Sequence, residues 1–167
     1  MEDWKTMYLK EKGINYEDLS EDEIKYAREA LEVASKSPCF FCASEDWQKR
    51  AKVINAICYL WVKEKERGFY IWNNPIETIE NYDLTSKIEG YSLVVIKNLY
   101  RPNKEYITSL LENFILERTY KKRYTIIGVD SVDSLEVLLP TVSKSFLESG
   151  GFLGINITSK KGGRHDR

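Results

Sequence analysis

The residues best placed to do chemistry lie between an apolar strand and a helix, in Ala43-Ser44-Glu45-Asp46-Trp47-Gln48-Lys49-Arg50. A strand, a turn and a helix with a lysine at its start is the layout that cradles phosphate in the pattern G-x-x-x-x-G-K-[ST]. There the glycines let backbone N–H groups approach the anion, the lysine reaches the outer phosphates and the hydroxyl binds magnesium. Only the lysine, Lys49, is in place here. Ala43 and Gln48 stand at the glycine positions and Arg50 at the hydroxyl position. Glu45 and Asp46 put negative charge where the anion would sit, and Trp47 adds bulk where backbone must close on ligand. The same stretch also fits an ordinary strand-to-helix turn with an acidic first turn, which the helix dipole favours.

A second chemical signal is Cys39-x-x-Cys42, a spacing used for zinc and for redox work. It lies inside the apolar run Pro38-Cys39-Phe40-Phe41-Cys42-Ala43, no second ligand pair accompanies it, and the one histidine is His165. Cys39, Cys42 and Cys58 therefore read as small buried hydrophobes, and no metal site is expected.

The elements that position these residues alternate between strand and helix, which implies an α/β architecture around a parallel sheet. Ser20, with Glu23 three residues on, starts a helix whose apolar face is Ile24, Ala27, Leu31 and Ala34, and Pro38 stops it. The strand Cys39–Ala43 follows, then a helix burying Val53, Ile54, Ile57, Leu60 and Trp61 that ends at Gly68. Phe69–Trp72 is the second strand, and Asn74-Pro75 opens a short helix to about Tyr82. Ser92–Ile96 is apolar throughout, as expected of a strand buried on both faces. Pro102-Asn103 opens a long helix with Ile107, Leu110, Leu111, Phe114 and Ile115 at helical spacing. Tyr124–Val129, short helices around Leu135–Leu139 and Val142–Glu148, and a fifth strand Phe152–Ile157 complete the chain. This gives one domain over 1–157, with a lead-in segment 1–19, and a basic, glycine-rich tail over 158–167.

The chain has 167 residues, 43% of them hydrophobic and 31% charged, with a net charge of −1, enough for one sizeable core. That charge argues against a strongly basic nucleic-acid binder. No apolar run is long enough to span a membrane and the acidic start lacks the features of a signal peptide, so a cytoplasmic protein is expected.

The order of elements from about Ile14 to Arg167 resembles the AAA+ ATPase core of bacterial replicative-helicase loaders of the DnaC/DnaI type. Tyr16–Leu31 resembles the lead-in helix before the loaders' phosphate loop, and Leu93–Ile96 sits where their Walker B strand lies. The resemblance implies a three-layer, P-loop NTPase-like fold with a five-stranded parallel sheet in the order 5-1-4-3-2. It places Lys97 and Asn98 where the magnesium-binding and catalytic acids belong, Asp130 near the sensor 1 position, and Lys144 nearest the expected arginine finger. The specific chemical motifs are thus absent: a cation replaces a metal ligand, and Asn98 cannot act as a base. Lys97 and Asp130, at the ends of neighbouring strands, are expected to pair across the old metal site.

The resemblance therefore implies a non-hydrolysing, loader-like protein without a bound nucleotide cofactor. It would act by contact with a replicative helicase or an AAA+ helicase loader, as adaptor or inhibitor. Trp4, Tyr8 and Trp47 are the candidate interface anchors, since aromatic side chains are common at such contacts. The alternative is an accessory module for single-stranded nucleic acid, single-stranded DNA among them. It would use the basic-aromatic cluster Tyr120, Lys121, Lys122, Arg123 and Tyr124, with Arg164 and Arg167 in the tail. A diverged but active ATPase is a third reading.

Overall fold

In the computed structural model, the described residues are 3–148 and 154–157, with the side chains of 146–148 left aside. The strands are β1 (Cys39–Ala43), β2 (Tyr70–Ile71), β3 (Leu93–Ile96), β4 (Tyr124–Val129) and β5 (Gly154–Asn156). The helices are α1 (Trp4–Glu11), α2 (Glu21–Ala34), α3 (Trp47–Leu60), α4 (Pro75–Thr78), α5 (Tyr82–Glu89), α6 (Glu105–Tyr120), α7 (Val132–Leu138) and α8 (Pro140–Glu148). The strands form one parallel sheet in the order β2-β3-β4-β1-β5, which is the expected order read from the other edge.

Strand alternation explains the two cores. Successive side chains of a strand point to opposite faces, so Phe40 and Cys42 enter one core while Cys39, Phe41 and Ala43 enter the other. The first core lies under α2 and α3 and contains Ala27, Ala30, Val53, Ile54 and Ile57. The second lies under α5 to α8 and contains Ile88, Ile107, Leu111, Ile115 and Leu135. Burying each large apolar side chain contributes roughly 1.5–3 kcal/mol. The same alternation puts Cys39 and Cys42 on opposite faces of the sheet, so they cannot share a metal ion. Burial pushes all three thiols up to about 12. Among the described residues no helix is long and apolar enough to cross a membrane.

Several boundaries depart from the sequence reading. The capping box forms as expected: Ser20 Oγ accepts from Glu23 N, and Glu23 Oε1 accepts from Ser20 N. The segment after Pro75 forms two helices, α4 and α5, because the Asn81 side chain caps a fresh start by accepting from Leu84 N. The end of α3 is not set by Gly68. The helix widens into a π turn over Trp61–Lys65 and stops at Glu66, which is left-handed at φ 57°. Gly68 is required for a different reason: a Cβ there would lie 2.6 Å from Tyr8 Oη. That hydroxyl donates to Phe69 O at 2.8 Å and accepts from Phe69 N at 2.9 Å, so it docks α1 onto the chain entering β2. The helix α1 itself has weak apolar patterning and was not expected. Asp3 caps it by accepting from Thr6 N, and the helix buries Leu9.

Candidate functional site

Ordinary local rules build the turn after β1. Ser44 Oγ accepts from Asp46 N at 3.1 Å, and Asp46 is the N-cap of α3. Its Oδ1 accepts from Gln48 N and Lys49 N, both at 3.1 Å. These are the amides that a bound phosphate would need, and the turn supplies their anion from its own chain. Lys49 lies 5.8 Å over the Tyr26 ring on α2.

Arg50, one residue further, is buried at 3% exposure. Its guanidinium fills the C-terminal edge of the sheet. Nη1 donates to Ser44 O at 2.5 Å, to Val129 O at 3.2 Å and to Asp130 Oδ1 at 3.3 Å. Nη2 donates to Asn98 Oδ1. One side chain therefore ties together the ends of β1, β3 and β4. Nε is buried without a partner. Asp130 is itself largely open to solvent, its side chain 76% exposed against 4% for Arg50. The expected Lys97–Asp130 pair does not form, because the longer, planar Arg50 reaches Asp130 from α3 and has other acceptors beside it.

Lys97 is half-buried and has no carboxylate partner among the described residues. Burial lowers its pKa, with the neighbouring Cys58 opposing the shift. Its carbonyl constrains the adjacent strand: a Cβ at Gly128 would come within 2.0 Å of Lys97 O. Glycine is what lets β3 and β4 approach so closely just below Asn98 and Asp130.

A magnesium-bound triphosphate does not fit these residues. The turn amides are engaged by Asp46, and a guanidinium already provides positive charge among the carbonyl, amide and carboxylate oxygens of the sheet edge.

Of the other candidates, only Trp47 adjoins this edge among the described residues. Trp47 is 59% exposed beside the turn, and Trp4 is 50% exposed, packing edge-on to Tyr8 at 6.4 Å. Tyr8 is half-buried, with its hydroxyl committed to Phe69. Lys144 is exposed on α8. Tyr120 is 89% exposed at the opposite edge of the sheet, but its basic neighbours are partly neutralised. Lys121 pairs with Glu89 at 3.4 Å and Glu117 at 3.3 Å, and Arg123 pairs with Glu89. Lys122, left-handed at φ 60°, is exposed. Arg164 and Arg167 lie outside the described residues.

Two buried charged residues escaped the sequence reading. Arg118, fully buried, donates to Thr125 Oγ1, Glu89 O, Tyr91 O and Tyr124 O, and joins α5, α6 and β4 at the sheet's N-terminal edge. Burial lowers its pKa to about 10, which Glu89 opposes. Glu112, 4% exposed, accepts from Val142 N at 2.8 Å and caps the first turn of α8 from a neighbouring helix. The signal for Arg118 was present: it continues the buried stripe Ile107, Leu111, Ile115 by one helical step.

No protein-family profile matches the chain, and no curated protein matches it. Among solved structures it is similar to a candidate primosome component from Streptococcus pyogenes serotype M3, with a TM-score of 0.53 at 5% identity. The similarity covers 88% of this chain and 87% of the other. At that identity the likeness is one of fold.

Proposed function

We propose that the protein is a non-hydrolysing relative of the helicase-loader fold that works in DNA replication by binding another protein. The partner would be a replicative helicase or its AAA+ loader, with this chain acting as adaptor or inhibitor. The observation that carries the reading is Arg50. Its guanidinium stands at the sheet edge where open α/β proteins place their ligands, bonded to Ser44 O, Val129 O, Asp130 and Asn98. A hydrolase needs that space for a metal clamp and an oriented water. With the motor chemistry gone, what remains useful is surface. The replication context is taken from a fold likeness to a protein described as a primosome component, an analogy of fold and not of site. The Glu89 and Glu117 pairs at Lys121 and Arg123 turn the reading away from nucleic acid and towards a protein partner.

Titration calorimetry with ATP and Mg²⁺ tests the first half, with no saturable heat expected. Micromolar binding with turnover that disappears in Lys49→Ala would overturn it. Affinity capture with the tagged protein tests the second half and is expected to retain a helicase or an AAA+ loader. Recovery of nucleic acid alone, or of a metabolic enzyme complex, would count against it.

A further inference from the structure

The helix α1 closes one edge of the sheet. β2 is an edge strand, paired with β3 alone. Trp72 N donates to Val95 O at 2.8 Å, so the backbone of Trp72 faces β3. Alternate residues of a strand bond to opposite sides, and Phe69, three residues earlier, turns its N–H and C=O away from the sheet. Tyr8 Oη takes both, donating to Phe69 O at 2.8 Å and accepting from Phe69 N at 2.9 Å. A single hydroxyl thus stands where a further strand would bond. The Tyr8 ring meets the buried Phe69 ring edge-on at 5.6 Å.

The rest of the hold on α1 is weak. Leu9 is its one buried side chain. Lys5 donates to Lys63 O at 3.2 Å and reaches Glu66 at 3.6 Å, and Lys63 donates to Thr6 Oγ1 at 3.0 Å. Glu66 is exposed, and ion pairs of that kind contribute little. With eight residues, α1 falls well short of the ~12–15 that a free helix needs in water. It is therefore helical only while docked. Gly13 follows it, left-handed at φ 78°, where a side chain would meet nothing within 4 Å. Ile14, the next residue, is fixed in the core at 3% exposure. A permissive backbone position thus separates a loosely held helix from a firm anchor.

We propose that α1 is a hinged strap. It opens as a unit about Gly13, with Tyr8 Oη as its latch, and bares the edge of β2 at Phe69 while the sheet stays folded. The inference stands apart from the loader reading, since it needs neither a partner nor a nucleotide.

Native-state hydrogen exchange at increasing urea, read residue by residue by NMR on the full chain, tests it. The Lys12 amide, which bonds to Tyr8 O and Leu9 O, should exchange together with the Phe69 amide. Both should exchange at least about a hundredfold faster than Ile127, in β4 between β1 and β3, and with a weaker urea dependence. Tyr8→Phe removes both latch bonds. It should speed Phe69 exchange, and trypsin cleavage after Lys10 and Lys12, by at least about tenfold. Gly68→Ala attacks the latch from the other side, since its Cβ would lie 2.6 Å from Tyr8 Oη. It should give the same pattern, and combined with Tyr8→Phe it should speed both by less than the product of the two factors. The Ile127 amide should remain the slower in every variant. The wild-type comparison decides the matter even where a variant fails to fold. Lys12 and Phe69 amides that open only together with Ile127 would overturn the proposal. So would a Phe69 amide that stays protected while the Lys12 amide exchanges, or a Gly68→Ala variant with wild-type rates.

Discussion

Replacing Arg50 by methionine is the sharpest perturbation this molecule offers. Methionine keeps the unbranched stem and the apolar packing but removes every donor. Four acceptors then lose a partner, and they do not lose equally. Val129 O keeps a second bond from Ser44 N at 3.1 Å. Asp130 is 76% exposed, so water replaces the guanidinium and the ion pair is worth less than about 1 kcal/mol. Ser44 O, beside a residue that is itself buried, loses a charge-assisted bond worth about 1.5–3 kcal/mol, and half-buried Asn98 loses another towards the lower end of that range. The expected loss is about 3–4 kcal/mol, a large share of a domain stability of roughly 5–15 kcal/mol. With a urea dependence of about 2 kcal/mol per molar, the midpoint of urea unfolding followed by circular dichroism falls by roughly 1.5–2 M. Asp130→Asn alone should cost under about 1 kcal/mol. Arg50→Met combined with Asn98→Leu should cost less than the sum of the two, because the second change removes an acceptor the first has orphaned. A loss below about 1 kcal/mol for Arg50→Met, or an Asp130→Asn effect as large as the Arg50 one, would refute the view that the guanidinium holds the three strand ends together.

Gly128→Ala should destabilise by about 3 kcal/mol or more, read from the same urea curves, since the new methyl meets backbone at Lys97 O and not a movable side chain. Lys97→Met should stabilise slightly at neutral pH, by less than about 1 kcal/mol after solvent screening. Burial lowers the lysine's pKa in the folded state, so the unfolded chain binds more protons and wild-type stability rises as pH climbs through that lowered pKa. The advantage of the variant should therefore shrink with rising pH, and an advantage that grows instead contradicts the sign. Cys39, Cys42 and Cys58 should resist a thiol reagent at pH 8 in the native protein and all three should react in denaturant, because burial holds each thiol at about 12. Glu112→Ala should cost about 1–3 kcal/mol by uncapping α8, with hydrogen exchange at the Val142 amide rising before that of the sheet.

What could be read from the sequence was what is set locally. The Ser20–Glu23 box, the apolar runs of β1, β3 and β4, and the Leu111–Ile115 face of α6 are all fixed by neighbours a few residues away. The strand order needed a resemblance to suggest it. Side-chain direction at the end of the sheet was not legible. Arg50 could be read only as a missing hydroxyl, since its acceptors at Asn98 and Asp130 are 48 and 80 residues distant. The same distance hid the Tyr8 lock on Phe69, 61 residues away, so a residue that reads as a free aromatic is a structural bolt. The Lys97–Asp130 pairing was the reasonable inference from adjacent strand ends, and it failed because a longer arm from a third element reached the carboxylate.

The central position of β1 also has a consequence for how the chain is made. This strand, Cys39–Ala43, emerges early, yet both its partners, β4 and β5, come from the far end of the sequence. Roughly 80 residues must be translated between the end of β1 and the start of β4, which at ~5–20 residues per second takes about 4–16 s. Throughout that interval the apolar ribbon Cys39-Phe40-Phe41-Cys42-Ala43 has neither sheet edge satisfied. The helices α2 and α3 are complete by then and can shelter one of its faces, the one bearing Phe40 and Cys42, while Phe41 stays bare until α6 and β4 arrive. The nascent chain is thus a natural client for a ribosome-associated chaperone, and its yield in a cell should depend on translation rate and temperature more steeply than the stability of the finished fold would suggest.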